Sequence, residues 1–230
     1  MTEEFAVGMV TRMQAGFYTV MAGNHILTCQ LRGRLKQHKK MEDLVAIGDQ
    51  VFISPIDEDR GVIEEICERE RALVRMAPTR RGIYKQILLA NPDQTVFVFA
   101  CADPIPSLRM LDRFLVIAEK QNIAALIVAN KVDRIDRKQA EALFSLYPAL
   151  GYPVIYTSAK EGTGIEELRE NLQGKLSAFA GPSGVGKTSL LNALRPGLGL
   201  EVKTVKESSH KGRHTTIVRQ LFRGIGWLFL

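Results

Sequence analysis

The chain has 230 residues, 46% hydrophobic and 24% charged, with a formal net charge of +6; that is one large domain or two smaller ones of ordinary globular composition, not a disordered or low-complexity chain. No apolar run approaches the ~20 residues that span a bilayer, and the Met1-Thr-Glu-Glu4 start is acidic where a secretory signal would be basic. Cys29, Cys67 and Cys101 lie far apart with no C-x-x-C pair, which argues against a zinc site or a disulfide framework and fits a reducing cytoplasm.

In chain order, residues 5–70 read as a small β domain. Val7–Arg12, Phe17–Ala22, Ile26–Leu31, Gln50–Ile53 and Gly61–Cys67 are strand-like runs, separated by turn signals at Gln14-Ala-Gly16, Gly23-Asn24, Gly48-Asp49 and Pro55–Gly61. Short strands at this spacing predict a small barrel, with the five-stranded OB type as the leading choice. Residues 1–70 carry 8 basic and 12 acidic side chains, yet Arg32–Lys40 (RGRLKQHKK) is a local basic run. Residues 71–85 carry 5 basic and no acidic side chains, and residues 171–230 carry 9 and 2. Such clusters are candidates for phosphate-backbone contact, although a charge run is often only a solvated loop.

Residues 68–86, with Arg69, Arg71, Arg75, Arg80, Arg81 and Lys85 around Pro78, read as a basic linker or domain edge. Beyond them strands and helices alternate, the pattern of a parallel α/β sheet. Strands are expected at Thr95–Cys101, Ile123–Ala129, Val154–Thr157 and Leu176–Ala180, and helices at Ser107–Gln121, Asp136–Leu146 and Ile165–Leu172. The last of these strands runs into Gly181-Pro182-Ser183-Gly184-Val185-Gly186-Lys187-Thr188, followed by Ser189 and the apolar start of a helix. This is the phosphate-binding loop G-x-x-x-x-G-K-[ST] in its required strand–loop–helix setting. Glycines let the backbone N–H groups turn toward a polyphosphate, Lys187 reaches the β and γ phosphates, and the Thr188 hydroxyl is placed for Mg²⁺. The loop alone does not choose ATP or GTP.

The base is chosen elsewhere. Asn130-Lys131-Val132-Asp133 follows one buried strand, and Ser158-Ala159-Lys160 follows the next. Ligands of open α/β sheets bind at such strand ends. An aspartate there accepts from guanine N1–H and the exocyclic amine, whereas adenine would leave the buried carboxylate unpaired. A backbone N–H near Ser158–Lys160 can donate to guanine O6, Asn130 can hold the loop and meet the other edge of the base, and the stem of Lys131 can pack over it. Three motifs at consecutive strand ends point to GTP and GDP with Mg²⁺.

Their order is unusual, because the base-reading loops precede the phosphate loop. This order, the β barrel in front and Gly212-Arg-His-Thr-Thr216 resemble one family, the circularly permuted small-ribosomal-subunit-dependent GTPases of bacteria (the RsgA, or YjeQ/YloQ, type). The resemblance covers essentially the whole chain. It implies residues 1–70 as an RNA-binding OB-type barrel and residues 71–230 as a circularly permuted GTPase domain of mainly parallel sheet. It also implies a monomeric cytoplasmic factor that binds the small ribosomal subunit and its rRNA late in assembly, alongside other assembly factors and away from membranes. By position, Thr216, with Thr215 as the alternative, is the switch threonine that meets Mg²⁺ and the γ-phosphate. His214 corresponds to the family histidine that positions the attacking water; otherwise it is an exposed loop histidine. Two departures stand out: the family's D-T-P-G motif and its C-terminal Cys/His zinc domain are missing after Gly226-Trp-Leu-Phe-Leu230. The expectation is a truncated chain that binds guanine nucleotide and hydrolyses GTP poorly. The competing readings are a non-catalytic RNA-binding module and a P-loop ATPase with a coincidental N-K-V-D.

Overall fold

The structure is a computed structural model, and it describes residues 6–37, 42–79, 82–197, 221–222 and 227–229. Two compact units form: Met1–Pro92, grouped with Val218–Gly224 and Leu228–Leu230, and Asp93–Ile217, grouped with Ile225–Trp227.

In the first unit, β1 (Ala6–Gln14), β2 (Phe17–Ala22), β3 (His25–Leu31), β4 (Gln50–Pro55) and β5 (Arg60–Ile66) close into a barrel in the order β1-β2-β3-β5-β4. β3 and β5 run parallel while the other pairs are antiparallel, so the expected OB-type barrel is the observed one. Alternate residues of these strands, among them Val10, Val20, Leu27, Val51, Ile53 and Ile63, fill the barrel core.

The stretch expected as a basic linker or domain edge forms a hairpin. β6 (Ala72–Thr79) and β7 (Gly82–Ala90) pair antiparallel along their whole length. Charge concealed the alternation of Leu73, Ile87 and Leu89, which are buried, and Pro78 lowered the strand reading, although a two-stranded ribbon has a free edge that tolerates proline. One aspartate holds this hairpin and a second holds the chain that leads into it. Asp43 accepts from the Tyr84 hydroxyl at 2.7 Å and from the Ile87 N–H at 2.8 Å. Asp49, fully buried, takes the fork of Arg69 at 2.7 and 2.8 Å and the Ala46 N–H at 2.7 Å. At Gly48, with φ of 90°, a Cβ would stand 2.1 Å from the Ala90 carbonyl oxygen, so the backbones approach there as only glycine permits.

In the second unit, β8 (Gln94–Ala100), β9 (Ala124–Asn130), β10 (Val154–Thr157) and β11 (Ser177–Ala180) run parallel in the order β10-β9-β8-β11. Every residue of β8 is buried, as expected of a strand covered on both faces. Phe97 and Phe99 pack with Leu111 and Leu115 of α1 (Leu108–Lys120) and Phe144 of α2 (Arg137–Phe144). Val96, Val98 and Ala100, of the opposite parity, are equally buried. A short α3 (Leu146–Ala149), not expected from the sequence, places Tyr147 against Phe144. α4 (Ile165–Leu172) lies beside α5 (Lys187–Leu194). β12 (Leu221–Phe222) and β13 (Trp227–Phe229) are the last described elements. Among the described residues no helix is long and apolar enough to cross a membrane.

The Asp49–Arg69 pair sets the expected response of the first unit. Asp49→Ala leaves the mostly buried Arg69 guanidinium without its carboxylate, with only the Asp43 and Leu44 carbonyls as acceptors, and urea denaturation should show a loss of about 3–5 kcal/mol. Replacing both residues by leucine should cost less than the single change. A loss below about 1 kcal/mol for Asp49→Ala would show that the pair does not hold this unit together.

Candidate functional site

The phosphate loop grows out of β11. Ala180 pairs with Phe97 of β8, so Gly181 passes close to Val98; a Cβ at Gly181 would stand 2.2 Å from the Val98 carbonyl oxygen. At the far end Gly186, with φ of 94°, opens α5, and a Cβ there would meet Asn130 Nδ2 at 2.5 Å. Val185 is buried, Pro182, Gly184, Lys187, Thr188 and Ser189 are half-buried, and Ser183 is exposed. With Lys187 as its first residue, α5 points the free N–H groups of its amino end into the loop, a ready setting for phosphate. The Lys187 ammonium donates to the Gly181 and Pro182 carbonyls, both at 2.7 Å, and burial lowers its pKa below the ordinary value. Among the described residues this cation has no anionic partner, the setting a polyphosphate would complete.

Asn130 ends β9, and its neighbour in the sheet register is Thr157 at the end of β10. Both ends of its side-chain amide are engaged: Nδ2 donates to the Val185 carbonyl at 2.8 Å, and Oδ1 accepts from the Thr157 hydroxyl at 3.0 Å. One buried amide thus ties the loops after β9, β10 and β11 together. Lys131, with φ of 65°, turns the chain into a short 3-10 segment, Val132–Arg134. The Asp133 side chain, 7% exposed, accepts from the Ser158 hydroxyl at 2.6 Å through Oδ1. Ser158 is itself fixed, donating its N–H to the Thr163 carbonyl while its hydroxyl oxygen accepts from the Glu161 N–H. Val132 and Ala159 are half-buried, and Lys160 is exposed.

The structure therefore brings together Asn130–Asp133, Ser158 and Gly181–Ser189. His214, Thr215 and Thr216 lie outside the described residues. Among the described residues no cluster of His, Cys, Asp and Glu is arranged to hold a metal. Thr188, half-buried at the start of α5, places a hydroxyl one residue past Lys187, a donor type that fits an Mg²⁺ carried in with a nucleotide. Two residues escaped the sequence reading. Thr157 belongs to no motif, and only its register with Asn130 reveals its part. Asp103, in the loop after β8, accepts from Lys131 Nζ through its carbonyl and from Arg134 Nη1 at 2.9 Å through its carboxylate.

A phosphate cradle on a parallel sheet, with base loops that precede it in the chain and an OB-type barrel in front, defines a circularly permuted P-loop GTPase. Residues 7–63 match the RsgA N-terminal domain and residues 66–228 the RsgA GTPase domain. The small ribosomal subunit biogenesis GTPase RsgA of Moorella thermoacetica is 42% identical over 216 residues, 94% of this chain and 69% of that protein. Its namesake in Alkaliphilus metalliredigens is 40% identical over 211 residues, 91% and 68% of the two chains. Among solved structures, YjeQ from Thermotoga maritima superposes with a TM-score of 0.74 at 35% identity, over 98% of this chain and 73% of that one. YloQ, described as a circularly permuted GTPase, gives 0.71 at 29% identity, over 99% and 71%. The chain belongs to the RsgA GTPase family.

Two outcomes test this geometry. Gly186→Ala drives a methyl into the Asn130 amide at a left-handed position, and binding of a fluorescent guanine nucleotide should weaken about tenfold or more. Binding at wild-type strength would show that the tie is dispensable. Lys187 gives a pH signature. Its folded pKa lies below the unfolded value of 10.5, so between the two the unfolded chain holds the extra proton and the nucleotide-free protein gains stability as pH rises. Bound GTP raises the Lys187 pKa and should abolish that gain, as should Lys187→Met. Denaturation midpoints at stepped pH, with and without nucleotide, read this directly; a slope that survives Lys187→Met belongs to another group.

Proposed function

We propose that this chain binds and hydrolyses GTP as a cytoplasmic factor in late maturation of the small ribosomal subunit, and that the subunit stimulates its hydrolysis. The observation that carries the nucleotide part is the Asn130 amide spanning Val185 and Thr157, which fixes the base-reading loop against the phosphate cradle. Asp133, oriented by Ser158, accepts from guanine N1–H and its amine. Lys187 would meet the β and γ phosphates, the amino end of α5 would donate N–H groups, and Thr188 would hold Mg²⁺, which would supply positive charge against the phosphates. Thr216 as the second Mg²⁺ contact and His214 as the residue that positions water complete the reading on family resemblance.

The ribosomal part is supported by the relatives, whose name is small ribosomal subunit biogenesis GTPase, and by a basic surface suited to rRNA. Arg32 and Arg34 both stand near the Glu64 carboxylate, 2.8 and 3.8 Å from its Oε2, with 51% and 69% of their side chains exposed. The proposed arrangement is a monomer in which residues 1–70 contact rRNA, residues 71–230 carry the nucleotide, and other assembly factors act on the same particle.

Labelled GDP and ADP separate the alternatives. Wild type should prefer GDP strongly, and Asp133→Asn should abolish the preference while gaining affinity for xanthine nucleotides. Equal ADP affinity would turn the reading to an ATPase. Salt-dependent rRNA binding with no nucleotide effect, and no stimulation of GTP turnover by purified small subunits, would leave an RNA-binding module.

A further inference from the structure

The guanine-reading carboxylate has a competitor at its side. Asp133 Oδ1 is engaged by Ser158, which leaves Oδ2 as the less committed oxygen. The guanidinium of Arg134, the next residue in the chain, stands with Nε 3.9 Å from that Oδ2. A closer approach would give Asp133 a charge-assisted partner in place of the guanine N–H groups. The structure shows what draws Arg134 the other way: Asp103, whose carboxylate accepts from Arg134 Nη1 at 2.9 Å. The same residue offers its backbone carbonyl to Lys131 Nζ, so both cations of the base loop turn toward Asp103.

We propose that Asp103 is a positioning residue for base recognition: its carboxylate diverts Arg134 from Asp133 and so keeps the carboxylate free for guanine. This rests on the reading of Asp133 as the guanine acceptor. Asp103 touches no base itself and acts only through Arg134. The same charges act on Lys131, whose pKa is lowered by burial first and by Arg134 second, with Asp103 and Asp133 opposing. Loss of the Asp103 charge leaves two cations beside one shielded carboxylate.

The test is a set of variants titrated with fluorescent GDP in the presence of Mg²⁺. Asp103 has φ of 47°, which asparagine tolerates, so Asp103→Asn removes the charge without backbone strain. Asp103→Asn should weaken GDP binding by about three- to fivefold, the scale of an exposed ion pair released to compete. Arg134→Gln, which removes the competitor, should bind GDP at least as tightly as wild type. The double variant should bind as Arg134→Gln does, because without the guanidinium there is nothing to divert. Wild-type affinity for Asp103→Asn, or a double variant as weak as Asp103→Asn, overturns the proposal; the second result would make Asp103 a mere brace of its own loop. Asp133→Asn, run alongside, separates the two levels. If it leaves GDP preference intact, the guanine reading of Asp133 itself fails; if it abolishes the preference while Asp103→Asn does nothing, only the role of Asp103 falls.

Discussion

The nucleotide site depends on one buried amide. Asn130 reaches Val185 in the phosphate loop with its nitrogen and receives Thr157 from β10 on its oxygen. Buried polar groups are costly unless paired, so this amide has one arrangement in which both ends are satisfied, and that arrangement fixes three loops against one another. The glycine at 186 is needed for the same reason, because any side chain there would strike the amide. The loops come from β9, β10 and β11, which are far apart in the chain and close at the carboxyl edge of the sheet. Permuting the chain therefore costs the site nothing: convergence is a property of strand order in space, and the amide does not register which loop was synthesised first.

The barrel unit follows a similar rule with charges in place of an amide. Its sequence is rich in acid, but Asp49 and Glu64 are turned inward, onto Arg69 in one case and Arg32 with Arg34 in the other. Asp43 holds the hairpin through Tyr84 and Ile87, and the phenol of Tyr84 is pushed up to about 12 by burial and by this neighbour. The acidic count of residues 1–70 is thus partly spent inside the fold, and the surface is less acidic than composition implies. A buried pair of this kind is weak evidence of net stability but strong evidence of one fixed geometry, since moving either partner strands the other.

In the nucleotide unit the cations are held in two different ways. Among the described residues Lys187 sits among carbonyls with no carboxylate, and Lys131 and Arg134 share Asp103 beside Asp133, the proposed guanine acceptor. A cation desolvated before binding, as Lys187 is, would need no large rearrangement for a triphosphate, which is the electrostatic preorganisation that phosphoryl transfer relies on.

Much of this was legible in the residues. The barrel strands, the four parallel strands and the phosphate loop follow from alternation, apolar runs and glycine spacing, because those signals are local. The pairing of base loop with phosphate loop could be expected from motif order, yet the tie itself could not: Thr157 and Asp103 acquire their parts only when β8, β9 and β10 lie side by side in register. The hairpin at Ala72–Ala90 was obscured for a related reason, since its strands are held by Asp43 and by each other across the chain while its own composition speaks mainly of charge. By itself, the sequence determined the fold class, the triphosphate cradle and the candidates for base recognition, all written in nearest-neighbour chemistry. Only the tertiary structure decided which side chain holds which loop and where each charge points, because those depend on distances between residues the chain keeps far apart.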